Sequence, residues 1–307
     1  MDNDNIETRV LSIQSWVCHG YVGNKCAVMA LQHLGIDVDP INTVQLSNNT
    51  AYTSFKGESL SAAKLLEIFE TLQHNKLANY THLLTGYNNN AETLRTVLSI
   101  VKKLKESNPN LIYVCDPVLG DNNALYVPEN LVAVYRDEVI IHADYLFPNQ
   151  TEAEYLTGIK ISSQDDAIRA IDSLHDKGIA NVIITSCTID NNDEDIVVIG
   201  SRKGERKFRL SVKKFDGYYS GTGDTFSALL LGYCVEQQQI SGASKTQISL
   251  ASACEQAVTT LYNIIKLTHN AKQLIPSSKL GEYHELKLIQ SRHFIGNKQV
   301  QFPSTYI

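Results

Sequence analysis

Among the six cysteines (Cys18, Cys26, Cys115, Cys187, Cys234 and Cys254) no pair has CxxC spacing, and no His-spaced metal pattern accompanies them. A zinc ribbon or dithiol redox centre is therefore not expected, and most of these thiols read as reduced residues of the core or its margin. Basic excess is missing as well: 27 Lys and Arg against 33 Asp and Glu give a net charge of −6 and a pI near 5.8. A nucleic-acid surface needs a basic face, so no nucleic-acid partner is expected. No apolar run approaches bilayer-spanning length, and Met1-Asp2-Asn3-Asp4 lacks the basic and apolar regions of a signal peptide. A cytosolic, membrane-free protein is the expectation. Internal repeats, low-complexity tracts and a convincing linker are also missing, while 307 residues with 43% apolar content can bury a substantial core. The chain therefore reads as a single domain over 1–307.

What the chain does contain is an alternation of apolar, strand-like runs with amphipathic helices, the pattern of βαβ units and a mostly parallel sheet flanked by helices. Strands are predicted at Arg9–Gln14, Tyr80–Thr85, Leu111–Cys115, Asp144–Phe147 and Asn181–Thr185, with a helix starting near Gly23 or Asn24. Leu94, Val97, Leu98, Val101 and Leu104 form one helical face, leaving Lys102, Lys103 and Lys105 largely to water. Ile196–Ser201 and Lys207–Phe215 read as an antiparallel pair joined by the charged segment Arg202-Lys203-Gly204-Glu205-Arg206. That segment is either a solvated hairpin tip or a basic turn that meets nucleotide phosphates. A long helix is predicted over Gln247–Asn270.

The strongest chemical feature is Ser220-Gly221-Thr222-Gly223-Asp224-Thr225-Phe226. Phe226, Leu229, Leu230 and Tyr233 recur at helical spacing, so this glycine-rich turn opens a helix. Free N–H groups at such a start make an anion site, and Gly221 and Gly223 let backbone approach a phosphate closely. A carboxylate in that place repels phosphate unless it accepts the proton of an attacking hydroxyl. Asp224 is therefore either a catalytic base or a helix N-cap. Ligands of open α/β sheets gather beyond the carboxyl ends of the strands. Ser15, Tyr87, Asp116, Asn149 with Glu152, and Thr185 with Ser186 all fall at such predicted ends, which together point to one shared cleft.

The sequence resembles the pyridoxal kinase family of the ribokinase-like superfamily. The likeness runs through Ser12-Ile13-Gln14-Ser15, Gly20-Tyr21-Val22-Gly23-Asn24, Val44-Gln45-Leu46-Ser47-Asn48, Leu84-Thr85-Gly86-Tyr87 and Asp116-Pro117-Val118-Leu119-Gly120-Asp121. It continues through Tyr126-Val127-Pro128-Glu129, Pro148-Asn149-Gln150-Thr151-Glu152 and Ile184-Thr185-Ser186 to the turn at Gly221–Asp224, in the family's order over most of 9–270. It implies a three-layer ribokinase-like fold and ATP-dependent phosphorylation of the 5′-hydroxymethyl group of pyridoxal, pyridoxine and pyridoxamine. Hydroxymethylpyrimidine-type kinase activity, or a weakly catalytic carrier of pyridoxal 5′-phosphate, are the alternatives.

Carried over position by position, the resemblance implies that Ser15, Thr50, Tyr87 and Asp224 meet the vitamin. Asp116, Asn149, Glu152, Thr185, Ser186, Phe215, Asp216, Gly217 and Thr222 match nucleotide-binding positions. Asp116, Asp121, Glu152 and Thr185 are the metal-side positions, for Mg²⁺ and for a monovalent cation, K⁺ or Na⁺. A homodimer is implied as well. Four departures stand out. Trp16 replaces a usual His, which makes the wall near the first strand bulkier. Asn49 and Ala51 interrupt the pattern around Thr50. Phe147 replaces a usual Thr in the monovalent-cation region, removing a side-chain oxygen, and the loop from Gly120 to Tyr126 is short for a cleft cover.

Overall fold

The computed structural model describes residues 7–190, 192–241, 248–273 and 285–307, so the expectations at Met1–Asp4 and Gln247 lie outside the described residues. The strands are β1 (Arg9–Val17), β2 (Asp37–Leu46), β3 (Gly57–Ser59), β4 (His82–Thr85), β5 (Ile112–Cys115), β6 (Gly120–Asp121), β7 (Ala124–Leu125), β8 (Tyr145–Leu146), β9 (Asn181–Cys187), β10 (Asp195–Arg202), β11 (Phe208–Lys213) and β12 (Thr305–Tyr306). The helices are α1 (Asn24–His33), α2 (Ala62–His74), α3 (Ala91–Ser107), α4 (Asn130–Val134), α5 (Gln150–Thr157), α6 (Gln164–Asp176), α7 (Thr222–Ser241) and α8 (Leu250–Gln273).

Among the described residues, ten strands form one sheet in the order β12-β11-β10-β9-β8-β5-β4-β1-β2-β3, and β6 pairs only with β7. The run from β2 to β9 is parallel, whereas β3, β10, β11 and β12 join antiparallel at the two flanks. Side-chain alternation divides the core in two. In β5, Tyr113 and Cys115 face helices α2 to α6, while Ile112 and Val114 face α1, α7 and α8. Three layers result, because the central strands β4, β5 and β8 are buried on both faces and must be covered on both.

Several sequence expectations shift in detail. β1 does not stop at Gln14 but runs to Val17, and the register with β2 slips between Gln14 and Trp16, so β2 carries an extra residue beside Ser15. Such bulges re-aim side chains next to sites. Ser15 thus lies within a strand, not after it, and Thr185 and Ser186 lie within β9. The whole of β2 escaped the reading because Asp37, Asp39, Pro40 and Asn42 interrupt its pattern; Pro40 is accommodated where β2 has no β3 partner, since that pairing covers only Val44–Leu46. Lys105 does not point simply to water: its Nζ donates to the carboxylate of Asp144 at 3.0 Å.

The Arg202–Arg206 segment is settled by register. Arg202 pairs with Asn181, the first residue of β9, so the basic tip lies at the amino ends of the parallel strands. It stands at the far end of the sheet from the predicted cleft and cannot reach phosphates there. Among the described residues no helix is long and apolar enough to cross a membrane.

Candidate active site

The site is built on the first turn of α7. Thr222 is its first residue, and the N–H of Thr225 donates to the carbonyl of Gly221 at 3.0 Å. Gly221 therefore precedes the helix as its cap, with φ at +81°, and Asp224 is the third helical residue. The N-cap reading of Asp224 fails on position. Its carboxylate instead lies toward the backbone N–H of Gly23, from the loop after β1. Burial pushes the carboxyl above the usual range, and the Gly23 N–H dipole opposes that rise.

The two glycines serve different ends. A Cβ on Gly221 would lie 2.1 Å from the carbonyl oxygen of Tyr21, so no side chain fits there. A Cβ on Gly223 would meet only Asp116 Oδ2, at 3.9 Å, which leaves open space over the helix start. An anion can use that space, with α7 supplying unpaired N–H groups and the positive end of its dipole.

Asp116 follows β5, and its backbone N–H donates to Thr85 at 2.9 Å. Its side chain is buried, and Oδ2 accepts the hydroxyl of Ser227 at 2.8 Å. Burial first, then the like charge of Asp224, drives the carboxyl up to about 8, with the Ser227 bond acting against them. Glu152 is buried as well and is held well above its usual range by burial and by the charge of Asp116. Both its oxygens are already engaged: Oε1 accepts from Leu119 N at 3.0 Å and Oε2 from Asn149 N at 2.8 Å. Asn149 completes a capping box by accepting the N–H of Glu152 at 2.9 Å.

Asp121 behaves differently. It is exposed on β6, and its Oδ1 accepts the N–H of Asn122 at 2.8 Å inside the hairpin turn. Among the described residues no group of three His, Cys, Asp or Glu side chains is assembled to hold an ion, so Asp116, Asp121 and Glu152 do not form a three-carboxylate cage. The segment from Gly120 to Tyr126 is a tight hairpin: Asn122 and Asn123 both take positive φ, and Asn149 Nδ2 donates to Gly120 at 2.7 Å.

Around this centre, Phe215 packs on Tyr262 and His269 with ring centroids 5.0 and 5.2 Å apart, while Asp216 and Gly217 are exposed in the loop before α7. Thr222 Oγ1 donates to Tyr219 at 3.4 Å. Thr185 and Ser186 are half-buried at the end of β9. Tyr87 packs its ring on the core beside β4, and Thr50 is exposed in the loop after β2.

Two of the departures change meaning. Trp16 faces the opposite side of β1 from Ser15, so it does not thicken the wall that Ser15 forms. Phe147 is buried edge-on against Tyr145 and Phe226, at centroid distances of 6.1 and 6.3 Å. Its ring points under α7 and away from the cleft.

Three residues were missed by sequence reasoning. Ser227 is the hydroxyl that holds Asp116, and it was legible as a polar interruption in the apolar face of α7. Tyr126 and Tyr218 flank the acidic centre; burial raises both hydroxyls, then Glu152 raises Tyr126 and Asp121 raises Tyr218.

The pyridoxal kinase of Dictyostelium discoideum is 59% identical over 308 residues, covering 97% of this chain and 99% of that protein. The chain belongs to the pyridoxal kinase family. The pyridoxal kinase of Homo sapiens is 38% identical, over 98% of this chain and 99% of its own. A solved pyridoxal kinase from Leishmania donovani, in complex with ADP and pyridoxine, superimposes with a TM-score of 0.86 at 32% identity, covering 97% and 99% of the two chains. The family model for phosphomethylpyrimidine kinase matches residues 79–266. The fold is the ribokinase-like α/β fold of these relatives.

Proposed function

We propose that this chain, as one domain, transfers the γ-phosphoryl group of ATP to the 5′-hydroxymethyl oxygen of pyridoxal, and likewise of pyridoxine and pyridoxamine. The observation that carries the reading is Asp224: a buried carboxylate in the first turn of α7, raised above its usual range and facing the Gly23 N–H, beside an anion site at the start of that helix. As the substrate oxygen bonds to the γ-phosphorus, its proton passes to Asp224 and the bond from phosphorus to the bridging oxygen breaks. The electron pair leaves with ADP. N–H groups from Gly221 to Asp224 face the charge that builds on the phosphoryl oxygens. A helix start is suited to that task because it needs no reorganisation as the charge appears.

The acidic centre fits Mg²⁺. This ion keeps several waters and needs only one or two carboxylates besides substrate phosphates, so a three-carboxylate cage is not required. Asp116 and Glu152 would hold it, directly or through water, and when bound it supplies positive charge against the β- and γ-phosphates. Asp121, out on the hairpin, is left a peripheral role. Asn149 keeps Glu152 in place, and Thr185, Ser186, Phe215, Asp216, Gly217 and Thr222 form the nucleotide side. Ser15, Thr50 and Tyr87 form the vitamin side. A monovalent cation near Thr185, K⁺ or Na⁺, and a homodimer follow the family resemblance, and a cytosolic location follows the sequence reading.

The hydroxymethylpyrimidine reading has one observation behind it, the family match at 79–266. That match leaves out Ser15 and the loops after β1 and β2, where ring recognition is proposed to lie. Incubation of the protein with Mg-ATP and each acceptor, with products identified by mass, tests both. Pyridoxal 5′-phosphate as the preferred product supports the proposal, whereas a higher kcat/KM for hydroxymethylpyrimidine would overturn it.

A further inference from the structure

We propose that Glu285 is a positioning residue for the vitamin side of the cleft, clamping together the loops that follow β1 and β2. This inference rests on the kinase reading above. Glu285 comes from far along the chain and bridges in parallel to Ser220, immediately before the anion turn. Its Oε2 accepts the N–H of Tyr21 at 2.9 Å. Its Oε1 accepts Asn49 Nδ2 at 2.7 Å. Asn49 is only 7% exposed, and its own Oδ1 accepts the N–H of Ala51 at 2.9 Å, so the amide is committed in this orientation.

The loop is shaped around the carboxylate. A Cβ on Gly20 would sit 2.0 Å from Glu285 Cδ, and φ at Gly20 is +84°, so glycine is required while Glu285 occupies its place. Glu285 itself stands on firm ground. Leu286 and Leu288 are buried in the core beneath it, and Lys287 N donates to Thr268 Oγ1 at 3.0 Å. It is a fixed post.

What it fixes is the frame around the reacting groups. The loop it grips at Tyr21 ends at Gly23, whose N–H faces Asp224 and whose Cβ, if present, would lie 2.4 Å from Ser15 Oγ. The loop it grips at Asn49 carries Thr50 next in sequence. Backbone bonds from Cys18 N to Leu46 O (2.8 Å) and His19 N to Ser47 O (2.9 Å) already join the roots of the two loops, and the carboxylate holds their outer parts, at Tyr21 and Asn49, to a common post. Without it, two buried or half-buried donors lose their acceptor and the two loops lose their only described side-chain link through Glu285. The nucleotide-side residues Asn149, Thr185 and Phe215 sit on other elements, and Thr222 lies near only the backbone bridge to Ser220, which a side-chain substitution keeps, so the effect should be selective for the vitamin.

The experiment is steady-state kinetics of Glu285→Ala and Glu285→Gln, varying pyridoxal and Mg-ATP separately, with melting temperatures beside them. Glu285→Ala should raise KM for pyridoxal about tenfold or more and leave KM for Mg-ATP within about twofold. Glu285→Gln should fall between, because Gln still accepts from Tyr21 but turns an NH₂ toward Asn49. Asn49→Ala releases one arm only; it should shift the pyridoxal KM in the same direction and add less than independently to Glu285→Gln. If Glu285→Ala does not fold, the Asn49→Ala and Glu285→Gln measurements decide. Equal rises in both KM values, or an unchanged pyridoxal KM in both remaining variants, would overturn the clamp. Failure of the parent protein to phosphorylate pyridoxal would instead remove the kinase reading, a distinct result.

Discussion

Ser227 donates its hydroxyl to Asp116 at 2.8 Å from a position one helical turn beyond Asp224, so a single helix orients both the proposed base and the proposed metal carboxylate. Ser227→Ala leaves the helix intact and removes the one hydrogen bond that favours charged Asp116. A hydrogen bond to a charged group is worth about 1.5 kcal/mol, so KM for Mg-ATP should rise roughly tenfold. KM for pyridoxal should hardly move. A rise confined to pyridoxal would separate Asp116 from the metal.

Asp224→Asn tests the base. Since Gly221 caps α7, Asn at the third helical position should melt near the parent. A general base contributes roughly 10²–10⁴ in rate, so kcat should fall at least about a hundredfold with both substrates saturating. Near-parent kcat would leave the proton to another acceptor.

Acid–base linkage gives a stability test. Asp116 is driven up to about 8, and Glu152 also lies above its usual value, chiefly by burial. Their folded values exceed the unfolded ones near about 4, so the folded state binds the extra protons and their contribution is full below about pH 4. It is lost as pH rises through about 8. The nucleotide-free melting temperature should therefore fall between about pH 5 and 9, and Asp116→Asn should flatten the fall. Mg-ADP should offset it at the alkaline end. A melting temperature that rises over this range would contradict the burial argument.

Phe147→Thr restores the residue usual among relatives but, with the ring packed on Tyr145 and Phe226, it should act on stability and not on cation use. Loss of a buried aromatic costs about 3 kcal/mol, readable by urea denaturation. Rates in K⁺, Na⁺ and a bulky organic cation should keep the parent's ranking. A gain of K⁺ dependence would place the side chain in the cleft after all.

The parallel sheet was legible because βαβ periodicity is local and strong, and the Gly221–Asp224 turn because its glycines, acid and following apolar face lie within one helix. Three things were not. β2 hid behind Asp37, Asp39 and Pro40, which its flank position tolerates. Whether Glu152 meets a metal or its own backbone depends on Leu119 and Asn149 N–H groups, which sequence does not reveal. Glu285 is more than two hundred residues from both of its partners, beyond any spacing rule.

The hairpin at Gly120–Leu125 is tied at one strand by Asn149 and at its turn by Asn123 N donating to Thr151 Oγ1 at 3.0 Å. A cover already bonded on both sides has little travel left with which to seal a cleft. Exclusion of water then falls to the vitamin ring itself, acting as the stopper. Such an enzyme should leak: ATP hydrolysis without acceptor should be measurable, and an unreactive ring that fills the vitamin side should suppress it.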